Sequence, residues 1–180
     1  MKRCFPLITA LVASLIVAVQ ASAQSSTGGS KIVRLSGSMT GMAVATSGGC
    51  THGFSNQCPT GHICSCLTMM GAKFSSPKIG RGAANVFATV DQTASFGMGS
   101  CAPLYGEIDI IAKKDSPIFE MVGGDCFEPN GDEVLNGVIG LAASNIFKGT
   151  GAATYTATIQ SSGLSSGGGR LMLSFKGTAE

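Results

Sequence analysis

The chain is 180 residues long, with 26 glycines, no tryptophan, 12% charged residues and a formal net charge of +2. That length suits one domain, and a near-neutral chain without a Lys/Arg run is not built for nucleic acid or an anionic membrane surface. Abundant Gly, Ser and Thr between short apolar alternations suits strands joined by turns. It suits helices poorly, because each interior glycine costs a helix about 1 kcal/mol.

Met1-Lys2-Arg3 is a basic start, residues 5–19 are mostly apolar, and Ala21-Ser22-Ala23 supplies the small-x-small pattern that signal peptidase reads. Residues 1–23 are therefore expected to be a secretory signal peptide, cut before Gln24. The apolar run is shorter than the ~20 residues that span a bilayer, and no second run could span one as a helix. The mature chain is expected to be exported, periplasmic or extracellular, with no transmembrane segment. Cys4, Lys2 and Arg3 leave with the signal, so ten basic residues then face ten acidic ones. Residues 24–30 read as a flexible polar segment and residues 31–180 as a single β-rich domain.

From Lys31 the chain alternates. Ile32 and Arg34 share one face, Val33 and Leu35 the other, and residues 39–46 continue in strand-like residues. Residues 67–74 and 84–90 carry further strands. In residues 104–114, Ile108, Ile110 and Ala112 oppose Glu107, Asp109 and Ile111. Asp115-Ser116-Pro117 is a turn signal, and residues 118–124 follow as its partner strand. Asn130-Gly131 marks another turn, since it supplies the positive φ that tight turns need. Residues 134–142 hold the best helical pattern, yet Gly137 and Gly140 favour a strand. Near the end, Tyr155, Ala157 and Ile159 oppose Thr154, Thr156 and Thr158, and Leu171, Leu173 and Phe175 oppose Met172, Ser174 and Lys176. Eight to ten short strands without helices must bury their apolar faces on one another. The expected fold is all-β: one antiparallel β-barrel of about eight strands, or a sandwich.

Residues 80–91 (GRGAANVFATVD) and 149–160 (GTGAATYTATIQ) match at six of twelve positions without gaps. This reads as a Gly-x-Gly bend feeding a strand, used twice. The segment Ile146-Phe147-Lys148-Gly149-Thr150-Gly151 resembles the Ile-x-Gly-Gly-Thr-Gly-Lys/Arg-Phe segment of dirigent and allene-oxide-cyclase-like secreted β-barrels and of related uncharacterised exported bacterial proteins. The resemblance covers the last 35 or so residues. It departs at Lys148, which replaces a glycine, and at Ala152-Ala153, which replace the Lys/Arg-Phe pair. It implies a small antiparallel barrel of about eight strands, with room for a small apolar ligand. It places no catalytic residue on this chain.

Six cysteines remain after cleavage: Cys50, Cys58, Cys64, Cys66, Cys101 and Cys126. An even count in an exported chain reads as a disulfide framework. Folding back about Lys114-Asp115 brings Cys101 and Cys126 together at the open end of a hairpin. In the loop-entropy picture that link contributes about 3.5 kcal/mol. The other four are then expected to pair among themselves. Cys64 and Cys66 point to one side of an extended chain and so take separate partners. Cys50–Cys64 with Cys58–Cys66 is the first choice, narrowly ahead of Cys50–Cys66 with Cys58–Cys64.

Each possible chemistry has a plainer competitor. Cys58, His62, Cys64 and Cys66 offer zinc-type ligands, but one short loop would have to wrap the ion, and an exporting pathway would oxidise the thiols. His52 and His62 then read as exposed loop residues. Cys64-Ser65-Cys66 lacks the spacing and helical setting of a redox dithiol. Gly163-x-Ser165-x-Gly167 matches a hydrolase elbow, but no histidine follows it. Asp125, Glu128, Asn130, Asp132 and Glu133 could hold calcium, although an exposed turn explains them as well. Glu107 and Asp109 read as a solvated strand face. The expectation is an exported, disulfide-stabilised protein with a binding or surface role, no cofactor, no assigned catalytic residue and no identified partner. The alternatives are a barrel that binds or isomerises a small apolar ligand, and a metal-binding Cys/His loop.

Overall fold

The computed structural model describes residues 32–93, 101–129, 132–147, 150–160 and 168–180. The proposed signal peptide, the 24–30 segment, Asn130, Lys148 and the loop around Ser165 lie outside the described residues. Eight strands follow in chain order: β1 (Val33–Ser47), β2 (Cys64–Ser76), β3 (Gly80–Asp91), β4 (Cys101–Ala112), β5 (Ile118–Phe127), β6 (Glu133–Ala143), β7 (Ala152–Gln160) and β8 (Gly168–Ala179). Each pairs antiparallel with the next, and β8 pairs with β1, so the sheet closes into a barrel rather than splitting into a sandwich. Closure leaves no strand edge unpaired.

Period-two alternation sorts the side chains. Leu35, Met39, Phe74, Ile108, Ile110, Phe119, Met121, Tyr155, Leu173 and Phe175 are buried in one core inside the barrel. Eight strands enclose just enough space for side chains to fill. The outer positions Arg34, Ser38, Lys73, Ser75, Thr154, Thr156, Ser174 and Lys176 are exposed. Among them the outer face also carries exposed Met42, Val44, Ile111, Val122, Val138 and Met172.

The segment with the best helical pattern is β6, a strand, and its glycines have different roles. Gly137 lies opposite Gly123 on one side and Tyr155 on the other. A Cβ at Gly123 would stand 1.9 Å from the Asn136 carbonyl oxygen and 2.6 Å from the Tyr155 hydroxyl. These two glycines let the Tyr155 ring lie across the strands. Gly140 faces open space, so no close approach explains it.

The two similar segments form β3 and β7, which sit opposite each other in the ring of eight. Ala84, Val86, Ala88 and Val90 face the core on β3, as do Ala153, Tyr155, Ala157 and Ile159 on β7. The matched alanines supply small side chains at opposite walls, which leaves room for the larger Phe, Met and Tyr residues between them.

The barrel has unlike ends. At one end the connections are the tight ones after β2 and β4 and the β6–β7 link. There Asp115, buried in the β4–β5 turn, accepts hydrogen bonds from the Asn145 N–H (2.9 Å), the Ser116 N–H (2.9 Å) and the Ser144 hydroxyl. Burial pulls the Asp115 carboxyl upward, but these donors outweigh it and hold its pKa below the ordinary value. At the other end, called the mouth below, lie the β1–β2, β3–β4, β5–β6 and β7–β8 connections.

Candidate functional site

The β1–β2 connection, residues 48–63, folds over the outer face of β2, β3 and β4 at the mouth. Three disulfides are present: Cys101–Cys126, Cys50–Cys66 and Cys58–Cys64. The first is the expected hairpin staple, with its cysteines directly opposite each other in the β4–β5 ladder. The other two correct the first-choice pairing of Cys50–Cys64 with Cys58–Cys66. The reason is the path of the loop. After Ser47 the chain turns inward over the sheet, and the Cys50 N–H donates to Thr89 Oγ1 at 2.7 Å. Thr89 is the ladder partner of Cys66, so Cys50 comes to lie over Cys66, with Cα atoms 4.7 Å apart. The chain returns along the rim and reaches Cys64 last, through Cys58. With both pairs bridged, Cys58, Cys64 and Cys66 offer no thiolate to a metal, and His62 serves elsewhere.

The histidines are not loose loop residues. His62 Nδ1 lies 2.6 Å from Asp91 Oδ2, and Asp91 is buried at the end of β3. That contact is the main cause holding the Asp91 pKa below the ordinary value, with the Thr93 donors adding to it against burial. The His52 ring packs on Phe87 at 4.1 Å between centroids. Its Nε2 lies 3.1 Å from Asp109 Oδ2 and 3.2 Å from Glu107 Oε1. Glu107 Oε2 also accepts the Phe54 N–H at 3.0 Å, from a short 3-10 turn over Gly53–Ser55. Gly53 has φ +42°, and a Cβ there would stand 2.2 Å from Glu107. The Glu107–Asp109 face, expected to be solvated, is thus covered by the loop and holds it down. The three ligand atoms lie within 4.8 Å of one another. His52 Nε2 bridges both carboxylates, so the grouping acts as a clamp on the loop.

Inside the mouth the picture differs. A cavity of about 310 Å³ is lined by Ala45, Ser65, Leu67, Val90, Gln92, Asp125, Phe127 and Glu133. Asp125 from β5 and Glu133 from β6 are 4% and 6% exposed. Of the calcium set expected from sequence, these two turn inward together. Glu128 closes the β5–β6 turn through its N–H to the Asp132 carbonyl, 2.8 Å. The Asp125 and Glu133 carboxyl groups hydrogen-bond each other. Burial pushes Asp125 up to about 6, partly offset by the hydrogen bond from Glu133. Burial, then the Asp125 charge, then that same hydrogen bond push Glu133 up to about 8. Near neutral pH the pair therefore holds one proton between two carboxyls, an arrangement that like charges in one site impose.

Behind the pair, Tyr155 is 2% exposed. Burial raises its pKa, and the nearby Asp125 charge raises it further. The Tyr155 hydroxyl, Asp125 Oδ1 and Glu133 Oε2 are buried with no hydrogen-bond partner among the described residues. A buried polar atom without a partner costs about 1–3 kcal/mol, so three in one place mark a site shaped for something other than stability. On the facing wall, Gln92 Nε2 donates to Ser65 Oγ at 3.1 Å.

Tyr155 was legible as an inward residue from its alternation with Ala157 and Ile159. No sequence signal joined it to Asp125, which lies thirty residues earlier in the chain. Compared with known proteins, the chain matches no family model, no curated protein and no solved structure. Its class rests on its own geometry: a closed, eight-stranded, disulfide-stapled antiparallel barrel with an acidic pair inside one end.

Proposed function

We propose that this is an exported protein that binds a small ligand in the mouth of its barrel and performs no chemistry on it. One observation carries the reading: a cavity of about 310 Å³ lined by Asp125 and Glu133, two buried carboxyls that each leave an oxygen unpartnered among the described residues. Convergent polar groups with displaced pKa values in a concave, partly apolar pocket are the usual signature of a ligand site. The remaining interior is filled by Met, Phe, Leu and Ile side chains, which supports a ligand held at the mouth rather than along the axis. Three disulfides fit an oxidising compartment, and the basic, apolar and small-x-small start supports export through a signal peptide to the periplasm or medium. The likeness to dirigent and allene-oxide-cyclase-like barrels supports a ligand with an apolar body, without assigning the isomerisation or coupling steps of those enzymes.

The test is native mass spectrometry of the mature protein purified from its own host, with chemical-shift mapping of a small-molecule fragment set. A retained ligand, or fragment shifts confined to Leu67, Val90 and Phe127, is the expected result. A bare mass together with no fragment shifting those residues overturns the reading.

A further inference from the structure

We infer that the mouth pocket takes an organic ammonium: a primary amine carrying a compact apolar body. This rests on the mouth being a ligand site and names the ligand's chemistry. Among the described residues, Asp125 Oδ1 and Glu133 Oε2 are buried acceptors without donors. Among the described residues the pocket lining contains no Lys, Arg or His. Tyr155, from β7, is the further titratable group that the described strands bring beside the pair. Ala45, Ser65, Leu67 and Val90 come from β1, β2 and β3, Gln92 follows β3, and the buried side chains toward the mouth on β4 and β8, Ala102, Leu104 and Leu171, carry no titratable group. Among the described residues the site therefore holds negative charge in a low-dielectric setting with no counter-charge, and a –NH₃⁺ group brings both the charge and the missing donors.

The wall across from the pair sets Ala45, Leu67 and Val90 beside Ser65 and Gln92, a lining with few oxygens, whereas calcium takes six to eight around it. A volume of about 310 Å³ lies at the lower end of small-molecule pockets, far larger than an ion. Phe127, 48% exposed, stands at the rim as an apolar member of the lining.

An ammonium seated on the pair favours its fully ionised form. Binding therefore expels the shared proton to solvent, and affinity rises with pH until the free amine itself loses its charge.

The experiment uses the mature protein with its disulfides intact and the probes n-hexylamine, n-hexanol, n-hexanoate and calcium chloride, by calorimetry and chemical-shift mapping. Hexylammonium is expected to bind one site at least tenfold more tightly than hexanol at about pH 8, and at least tenfold more weakly at about pH 5. Asp125→Asn and Glu133→Gln should each lose tenfold or more. Both are isosteric, and melting at about pH 5 checks that they fold. A readout that needs no variant is proton release, from the difference in binding enthalpy between two buffers at about pH 7; no release overturns the inference. Hexanol or hexanoate shifting Leu67 and Val90 as strongly as the amine does would sink the ammonium and leave the ligand site standing. Silence from all three organic probes would remove the ligand site as well. Saturable calcium binding that excludes the amine would reassign the pair to a metal.

Discussion

At the scale of single residues, Asp125 and Glu133 dominate what the barrel does with pH. Both have folded pKa values, about 6 and about 8, above those of unfolded carboxyls near 4. Between about pH 4 and pH 8 this pair thus holds more protons folded than unfolded, so its own contribution to stability is full in acid and falls as pH rises. Thermal melts of the ligand-free protein are expected to show a lower midpoint at about pH 9 than at about pH 5. Glu133→Gln should flatten that slope and be the more stable protein at about pH 9. An unchanged slope in the variant would show that the pair is not its source. Gly123 is the second residue-scale test. Its Cβ would run into the Asn136 carbonyl and the Tyr155 hydroxyl, so Gly123→Ala is expected to cost about 3 kcal/mol by urea unfolding. Gly140→Ala, with open space around it, should cost little and serves as the control.

At the scale of elements, two devices hold the connections. Asp115 gathers donors from Ser116, Ser144 and Asn145, which ties the β4–β5 turn to the β6–β7 link. Asp115→Ala leaves buried donors unmet, and the expected loss is about 3 kcal/mol in chemical denaturation. Because its folded pKa is depressed, the stability it adds is present above the unfolded carboxyl pKa and is lost as pH falls through the folded one. The loop over β2–β4 is held by two disulfides and by the His52 clamp on Glu107 and Asp109. His52→Ala should leave the melting midpoint nearly unchanged, since a half-exposed ion pair contributes about 1 kcal/mol or less. It should speed amide exchange at Phe54, whose N–H bonds to Glu107. Protection of Phe54 as strong as in the parent would mean that the disulfides alone fix the loop.

At the scale of the whole molecule, a closed barrel with a packed centre is stabilised by contacts far apart in the chain, and its staples act mainly on the unfolded state. Removing Cys101–Cys126 with paired serines opens a 25-residue closed loop, with an expected loss of about 3.5 kcal/mol in denaturant titration. The retained β4–β5 register should keep the circular dichroism of the native barrel at low denaturant. Much of this architecture was legible from alternation, because each face of a strand reads as apolar or polar at period two. Tyr155, Ala157 and Ile159 against Thr154, Thr156 and Thr158 oriented β7 correctly. Less of the site was legible. Asp125 and Glu133 stood in a run that an exposed turn explained equally well. Only the inward alternation of β5 and β6 separates them from Glu128 and Asp132. The covered state of Glu107 and Asp109 was hidden too, since it depends on a loop more than fifty residues earlier.

By itself the sequence determined strands over helices, the barrel-sized strand count and the Cys101–Cys126 link, because each follows from local periodicity or from the fold-back of one hairpin. Tertiary structure alone decided the closure of β8 onto β1, the partners of Cys50 and Cys58, and the meeting of Asp125, Glu133 and Tyr155. Those depend on where a loop crosses the sheet and on which strands share an interior, and chain spacing carries no record of either.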